Sequence, residues 1–355
     1  MRARLPSFAR ASGCIVAIAV ISCGTNAEAP PLGDGGITPT PSTPTTSDAA
    51  SPDAPSPPPS PGPRWETRRA LDEPRQETAV VTLDGKVYVL GGFDGAGAVT
   101  ARVDVYETHT DTWSRATDLP ERLHHMNAAV VGGTIFVVGA LRDAAFVETG
   151  VVLAYDPTAR TWTRRAPMPA GTERGAAVVG AIGAKVYVAG GFRAGAAVAT
   201  FSAYDTTTDT WEALADVPAA RDHGVGAALG GKLYVIGGRS GSLSAHVTRV
   251  DVYDPVARTW SLARPMPTSR AGMAAAVVRD RIVVAGGEGH TNDSGVFDAT
   301  EAYDPRTDTW TTLPPMRSPK HGTGAGSVDG TFLVPGGAPV RAFGAVATVE
   351  ALVGL

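Results

Sequence analysis

The chain has 355 residues, with 31 Lys and Arg against 35 Asp and Glu and a formal net charge of −4. An acidic chain attracts no phosphate backbone, so nucleic acid is excluded as an expected partner. Both cysteines, Cys14 and Cys23, lie near the start, so everything after them has no disulfide, no thiolate metal site and no cysteine nucleophile.

Arg2, Arg4 and Arg10 precede an apolar run from Ile15 to Ile21 and then Ser22-Cys23-Gly24. A basic stretch, a short apolar core and a small residue before the cut read as a secretory signal over residues 1–22, with a core too short to span a membrane. Val20-Ile21-Ser22-Cys23 also resembles a bacterial lipobox. That resemblance implies a lipidated Cys23 as the mature N-terminus, an exported protein, and an outer-membrane lipoprotein facing the periplasm or the cell surface, because Gly24 rather than Asp follows the cysteine. An ordinary secretory signal with an incidental cysteine is the alternative. Residues 23–63 then form the anchor and a tether of Pro, Thr, Ser, Ala, Asp and Gly, which cannot bury a core and is expected to be disordered, reaching at most roughly 120 Å.

From Trp65 onward the chain repeats. Its six tryptophans, Trp65, Trp113, Trp162, Trp211, Trp260 and Trp310, recur every 48 to 50 residues, the length of one four-stranded propeller blade. In the first copy, Thr78 to Val81 leads through Asp84-Gly85 to Lys86-Val87-Tyr88-Val89-Leu90-Gly91-Gly92, then to Val103-Asp104-Val105-Tyr106 and Asp111-Thr112-Trp113. Such β-branched and aromatic runs between Gly and Asp turns predict antiparallel strands a to d. Later copies end strand b at Gly139-Ala140, Gly190-Gly191, Gly237-Gly238, Gly286-Gly287 and Gly336-Gly337, and strand c at Tyr155-Asp156, Tyr204-Asp205, Tyr253-Asp254 and Tyr303-Asp304. Diglycine, Tyr-Asp and a following Trp, six times in register, resemble the kelch motif over residues 64–355. The resemblance implies an all-β, six-bladed β-propeller.

The sixth copy lacks its own Tyr-Asp and Trp. Arg64-Trp65-Glu66-Thr67 reads as an orphan strand d and the segment from Ala347 to Leu352 as an orphan strand c, so pairing them closes the sixth blade and removes two open edges. Small residues such as Ala128-Ala129, Ala176-Ala177, Ala227-Ala228 and Ala274-Ala275-Ala276 suit strand a, where six sheets converge. Each Trp is expected between blades, contributing up to roughly 4–6 kcal/mol if fully buried.

In such blades the d-to-a and b-to-c loops share one face around the channel mouth. A residue present in every blade reads as architectural, and one present in a single blade is free for function. By that test Arg75, Arg122, Arg174, Arg221, Arg270 and Lys320, each 16 or 17 positions before the diglycine, are mainly structural, with a ligand-facing basic ring as the alternative. The blade-specific candidates for ligand binding are Glu77, His125, Arg142, Arg193, His223, Arg239, Glu288, His290 and Arg341; His124, Glu173, Asp94 and His321 lie in the same loops. Five of the seven histidines are counted there.

Three functions fit. The first is a monomeric binding module, tied to the membrane only through its lipid, that grips a glycan, peptide or envelope protein with arginine forks and histidine hydrogen bonds. The second rests on the resemblance alone: some periplasmic six-bladed kelch proteins are sialic acid mutarotases, and a carboxylate, histidine and arginine mouth can open a sugar ring by proton transfer. The third, a metal site from His124, His125, His223, His290 or His321, is set aside because adjacent strand residues point to opposite faces. No cofactor and no metal are expected. Galactose oxidase also carries kelch blades, but its copper radical site uses a Cys-Tyr crosslink that this domain cannot form. The binding module is the reading adopted.

Overall fold

The computed structural model describes residues 62–355 except Leu243. The leader, Cys23 and the tether to residue 61 lie outside the described residues. Within them every regular element is a strand, and the strands form six four-stranded antiparallel sheets and two short two-stranded ones. Blade 1 runs through strand a (Ala79–Leu83), strand b (Lys86–Leu90), strand c (Val103–Glu107) and strand d (Thr112–Arg115). The next four blades repeat that order from strands a at Ala128–Val131, Val178–Ile182, Val225–Leu229 and Ala274–Val278. Blade 6 takes Gly326–Val328, Thr331–Pro335 and Val349–Val353 from the C-terminal end and Arg64–Arg68 from the other end. Trp65 pairs with Leu352 and Arg68 with Val349, so the ring closes as the orphan strands predict.

A blade's two faces both meet neighbours, which is why strand b is apolar throughout rather than alternating. The core is therefore six slabs, each shared by two adjacent blades, rather than one centre. Near the axis the backbones approach too closely for side chains: a Cβ on Gly226 would lie 2.5 Å from the Val179 carbonyl oxygen of the preceding blade.

Two repeated hydrogen bonds tie neighbouring blades. Every Trp indole N–H donates to a carbonyl in the preceding blade or just past its strand d, from Trp113 to Arg69 at 2.8 Å, Trp162 to Thr117 at 3.0 Å and Trp211 to Ala166 at 3.0 Å, through Trp260 to Ala215 and Trp310 to Arg264, to Trp65 and Pro314 at 2.8 Å across the closure. Only Trp65 is buried, however, and the other five are half-buried. The full-burial figure is thus too large for them, and the directed bond carries part of their role. The diglycine supplies the second tie. The N–H of Gly92, Gly191, Gly238, Gly287 and Gly337 donates to the carbonyl of Leu123, Arg221, Arg270, Lys320 and Arg75 in the next blade, at 2.7 to 3.1 Å.

Four of those carbonyls belong to the basic repeat, whose side chains turn inward. Arg75, Arg174, Arg221, Arg270 and Lys320 are all at most 1% exposed. Arg270 donates to the Gly286 and Ala299 carbonyls at 2.9 and 2.6 Å and to Glu301 at 2.8 Å. Arg75 pairs with Asp104, Arg221 with Asp251 at 2.6 Å, and Lys320 lies 3.8 Å from Glu350, while Arg174 uses Ser202 at 2.9 Å. Burial, opposed by Glu350, lowers Lys320 to about 8. Blade 2 departs from the expectation. Arg122 is exposed, and the residue in register is Leu123, which is fully buried. The strand c position that carries the acid or Ser202 elsewhere is there Leu153, also fully buried in the same apolar slab. Base and partner have both been replaced by leucine, so the pair is structural and dispensable only as a pair.

Arg270→Leu alone should therefore lower stability by about 3–5 kcal/mol by stranding the Glu301 carboxylate. Arg270→Leu with Glu301→Leu, imitating blade 2, should recover most of that loss in chemical denaturation. A double variant no more stable than the single one would contradict the pairing account.

Candidate functional site

Two residues beyond each buried basic position, or Leu123 in blade 2, the backbone turns left-handed. The six residues are Glu77, His125, Ala176, His223, Gly272 and Gly322, with φ between 48° and 65°. Their amides point around the axis. His125 N–H donates to the Glu77 carbonyl at 3.1 Å, Ala176 to His125 at 2.9 Å, His223 to Ala176 at 2.9 Å, Gly272 to His223 at 2.8 Å and Gly322 to Gly272 at 2.9 Å, and Glu77 N–H donates to Gly322 to complete the cycle. A closed circle of six backbone bonds thus crosses all six blades. At Gly322 a Cβ would lie 2.5 Å from Glu77 Oε1, so a side chain there would displace the Glu77 carboxylate.

The residue before each ring position bridges to the first residue after the diglycine: Gln76 with Phe93, His124 with Leu141, Gly175 with Phe192, Asp222 with Arg239, Ala271 with Glu288 and His321 with Ala338. These pairs form the wall of the mouth, and the wall is two-sided. Blades 1 to 3 contribute Phe93, Leu141 and Phe192, joined by Phe146 and Phe343 from the loops; blades 4 to 6 contribute Asp222, Arg239, Glu288 and His321. The wall encloses a pocket of about 210 Å³ floored by Glu77, His125 and His223. Below the floor the channel continues as a second cavity of about 200 Å³ lined by the small residues of strands a.

The polar side is densely bonded. Arg239 donates to Asp222 Oδ1 at 3.0 Å and to Glu288 Oε1 at 2.8 Å, and its Nη2 lies 3.1 Å from His223 Nε2. His223 Nδ1 is 2.6 Å from Asp222 Oδ1. Burial alone would push the Asp222 carboxyl up, but the hydrogen bond from His223 and the Arg239 charge outweigh it and hold it below the usual range. On the other side His125 Nε2 lies 3.1 Å from Glu77 Oε2 and His125 Nδ1 lies 2.6 Å from His124 Nδ1. Burial pushes both imidazoles down, His125 furthest, and the neighbouring His223 adds to it.

Of the nine sequence candidates, the structure brings Glu77, His125, His223, Arg239 and Glu288 together. Arg142, Arg193, His290 and Arg341 stay out of the mouth pocket. Arg142 is exposed beside a separate groove between blades 2 and 3, and Arg193 is half-buried near Gly171. His290 packs on Phe297 at 4.7 Å, and Arg341 is exposed against Gly295. The reason is positional, because the first residue after the diglycine is bridged back to the axis, whereas these four lie farther along loops that carry them away from the pocket. His124 and His125 also meet rather than diverge, since the left-handed His125 breaks strand alternation. The histidine count omits His246, whose b-to-c loop bridges it to Arg239. The aromatic wall was missed too, because a phenylalanine in a loop gives no signal that separates a ligand face from packing.

A family model described as the KLHDC2/KLHL20/DRC7 Kelch-repeats domain matches residues 165–337, and one described as the Kelch motif matches residues 74–120. The chain is 34% identical over 145 residues to Kelch-like protein terF of Aspergillus terreus, covering 38% of this chain and 31% of that protein. It is 31% identical over 101 residues to Beta-scruin of Limulus polyphemus, covering 26% and 11%. The chain thus spans less than a third of the length of these curated relatives. Among solved structures, that of YjhT superposes with a TM-score of 0.68 at 15% identity over 81% of this chain and 96% of the other, a likeness of fold. With six blades in register, a diglycine tie in five of them and matching family models in both halves of the ring, the chain is a kelch-repeat β-propeller protein.

Proposed function

We propose that the chain is a binding module of the cell envelope that takes its ligand at the mouth of the propeller channel. The observation that carries this reading is the two-sided pocket, with an aromatic wall facing a bonded network of Asp222, Arg239, Glu288 and His321. Its volume of about 210 Å³ falls below the roughly 300–1,000 Å³ of sites that enclose a drug-sized molecule. It suits one ring or one side chain presented by something larger, such as the terminal sugar of a glycan or a residue of a peptide or envelope protein. Arg239 is already matched by Asp222 and Glu288, and Glu77 adds a further carboxylate. A neutral or cationic group is therefore favoured over an anionic one.

A second reading keeps one specific support. The Asp222–His223 pair and the Glu77–His125 pair sit in the same pocket, an arrangement able to remove and return protons during opening of a sugar ring. Exchange between sugar anomers that the wild type accelerates and His223→Ala does not would replace binding by catalysis.

The test is a screen of the full chain in detergent against glycans and peptides, followed by variants. Phe343→Ala and His321→Ala should each weaken a ligand found in this way by more than about 1 kcal/mol if they are hot spots, whereas Arg142→Ala and Arg193→Ala should leave it unchanged. The reverse pattern would move the site out of the mouth.

Anchoring is proposed from the leader alone, from the Ser22-Cys23 junction after a short apolar core. Cys23→Ala should shift the protein from the membrane to the soluble fraction, since stable attachment takes two or more acyl chains. Mass spectrometry that finds Cys23 unmodified in the wild type would end this part of the proposal.

A further inference from the structure

The floor of the mouth brings imidazoles and a carboxylate into contact. His124 Nε2 lies 2.9 Å from the Asp143 carbonyl, which can only accept, so that nitrogen carries a proton. One proton is shared between His124 Nδ1 and His125 Nδ1, 2.6 Å apart. His125 Nε2 faces the Glu77 carboxylate at 3.1 Å. With the histidine pair uncharged, that contact sets a lone pair against a carboxylate, and a bound metal ion or an added proton satisfies it.

Other imidazoles line the same floor. His321 Nε2 lies 2.9 Å from the Val340 carbonyl, and its Nδ1 faces Glu77 Oε1 at 4.0 Å and Glu288 Oε2 at 3.9 Å. His223 Nδ1 lies 2.6 Å from Asp222 Oδ1, and Arg239 Nη2 lies 2.7 Å from that nitrogen and 3.1 Å from Nε2. Among the described residues, the only side-chain nitrogens recorded near the Glu77 carboxylate are these imidazoles.

The geometry points to a first-row divalent cation, of the zinc class, held by Glu77, His125 and His223. One ligand atom from each of the three lies within 4.8 Å of the others. Neighbouring ligands on a tetrahedral zinc, at bonds of about 2.0–2.2 Å, stand roughly 3.3 Å apart. The Glu77–His125 distance of 3.1 Å already matches, and His223, within 4.8 Å of the other two, must close by up to about 1.5 Å, moving away from Arg239, which keeps Asp222 and Glu288. Asp222 behind His223 and His124 behind His125 supply the outer partners that orient metal-bound imidazoles. These three residues alone line both the mouth pocket and the channel, so a three-ligand ion there has an open position toward whatever enters the mouth. The expectation of no metal rested on His124 and His125 pointing apart; the ligands come instead from blades 1, 2 and 4 at equivalent ring positions.

This inference rests on the clustering of Glu77, His125 and His223 between the mouth pocket and the channel and not on the ligand reading. The tag-free full chain in detergent, stripped with a chelator, is titrated with Zn²⁺ by calorimetry and with Co²⁺ by visible absorption, with no other ligand present. One saturable equivalent is expected, with d–d bands of a four- or five-coordinate cobalt. His125→Ala and Glu77→Ala should lose binding by 100-fold or more, and they can fold because Ala176 occupies the same ring position at φ 48°. His124→Phe should weaken binding about 10–100-fold, and His290→Ala should not. No saturable binding in the wild type, or undiminished binding in His125→Ala, would overturn the proposal and leave a proton as the cation between Glu77 and His125.

Discussion

The circle of six backbone hydrogen bonds at the axis is the constraint on which the rest of the molecule depends. Each bond needs a left-handed residue at one position per blade, and each position is delivered by the buried basic residue, or Leu123, two places earlier. The diglycine docks on the carbonyl of that earlier residue, and in most blades an acid on strand c receives its side chain. Ring, diglycine and buried pair are therefore one repeated device, of which the ring bond occurs in all six blades, while blade 2 replaces the buried pair by Leu123 and Leu153. Arg64–Arg68, the strand d of blade 6, leads directly to Glu77, so the pairing that closes the ring and the bond between Gly322 and Glu77 join the same two blades.

Magnitudes show where this device departs from stability alone. A left-handed non-glycine residue costs roughly 1–2 kcal/mol, while a backbone hydrogen bond contributes about 0.5–1.5 kcal/mol net. Gly272 and Gly322 therefore gain from the circle, whereas Glu77, His125, Ala176 and His223 come close to break-even. Three of those four costly positions hold the side chains that floor the mouth. Strain kept where glycine would be easier is a mark of a functional position, and it is the energetic complement of the two-sided wall above it.

The sequence carried the fold because the fold is a repeat. Trp65 and the segment ending at Leu352 announced the closure, and the diglycines announced close backbone approach; both proved to be interblade ties. Comparing copies also separated structural from specific residues, but it failed in blade 2: Leu123 stands 16 positions before Gly139, as each base stands before its glycine, and demanding a base chose exposed Arg122 one place earlier. The candidate site was legible only at bridged positions. Glu77, His125, His223, Arg239 and Glu288 converge because each is held to the axis by a backbone bond. Arg142, Arg193, His290 and Arg341 are charged and blade-specific too, yet lie farther along loops whose direction no local pattern sets. The Phe93, Phe146, Phe192 and Phe343 wall comes from different blades and exists only once the ring is closed.

Amide hydrogen exchange tests the central claim most directly. If the axial circle is the cooperative element that joins the blades, the amides of Glu77, His125, Ala176, His223, Gly272 and Gly322 should exchange together, and only through global unfolding, although they sit in loops at the channel mouth. Rapid and mutually unequal exchange at these six positions, with the strands still protected, would show that the circle is a local feature and that the blades are held by their slabs alone.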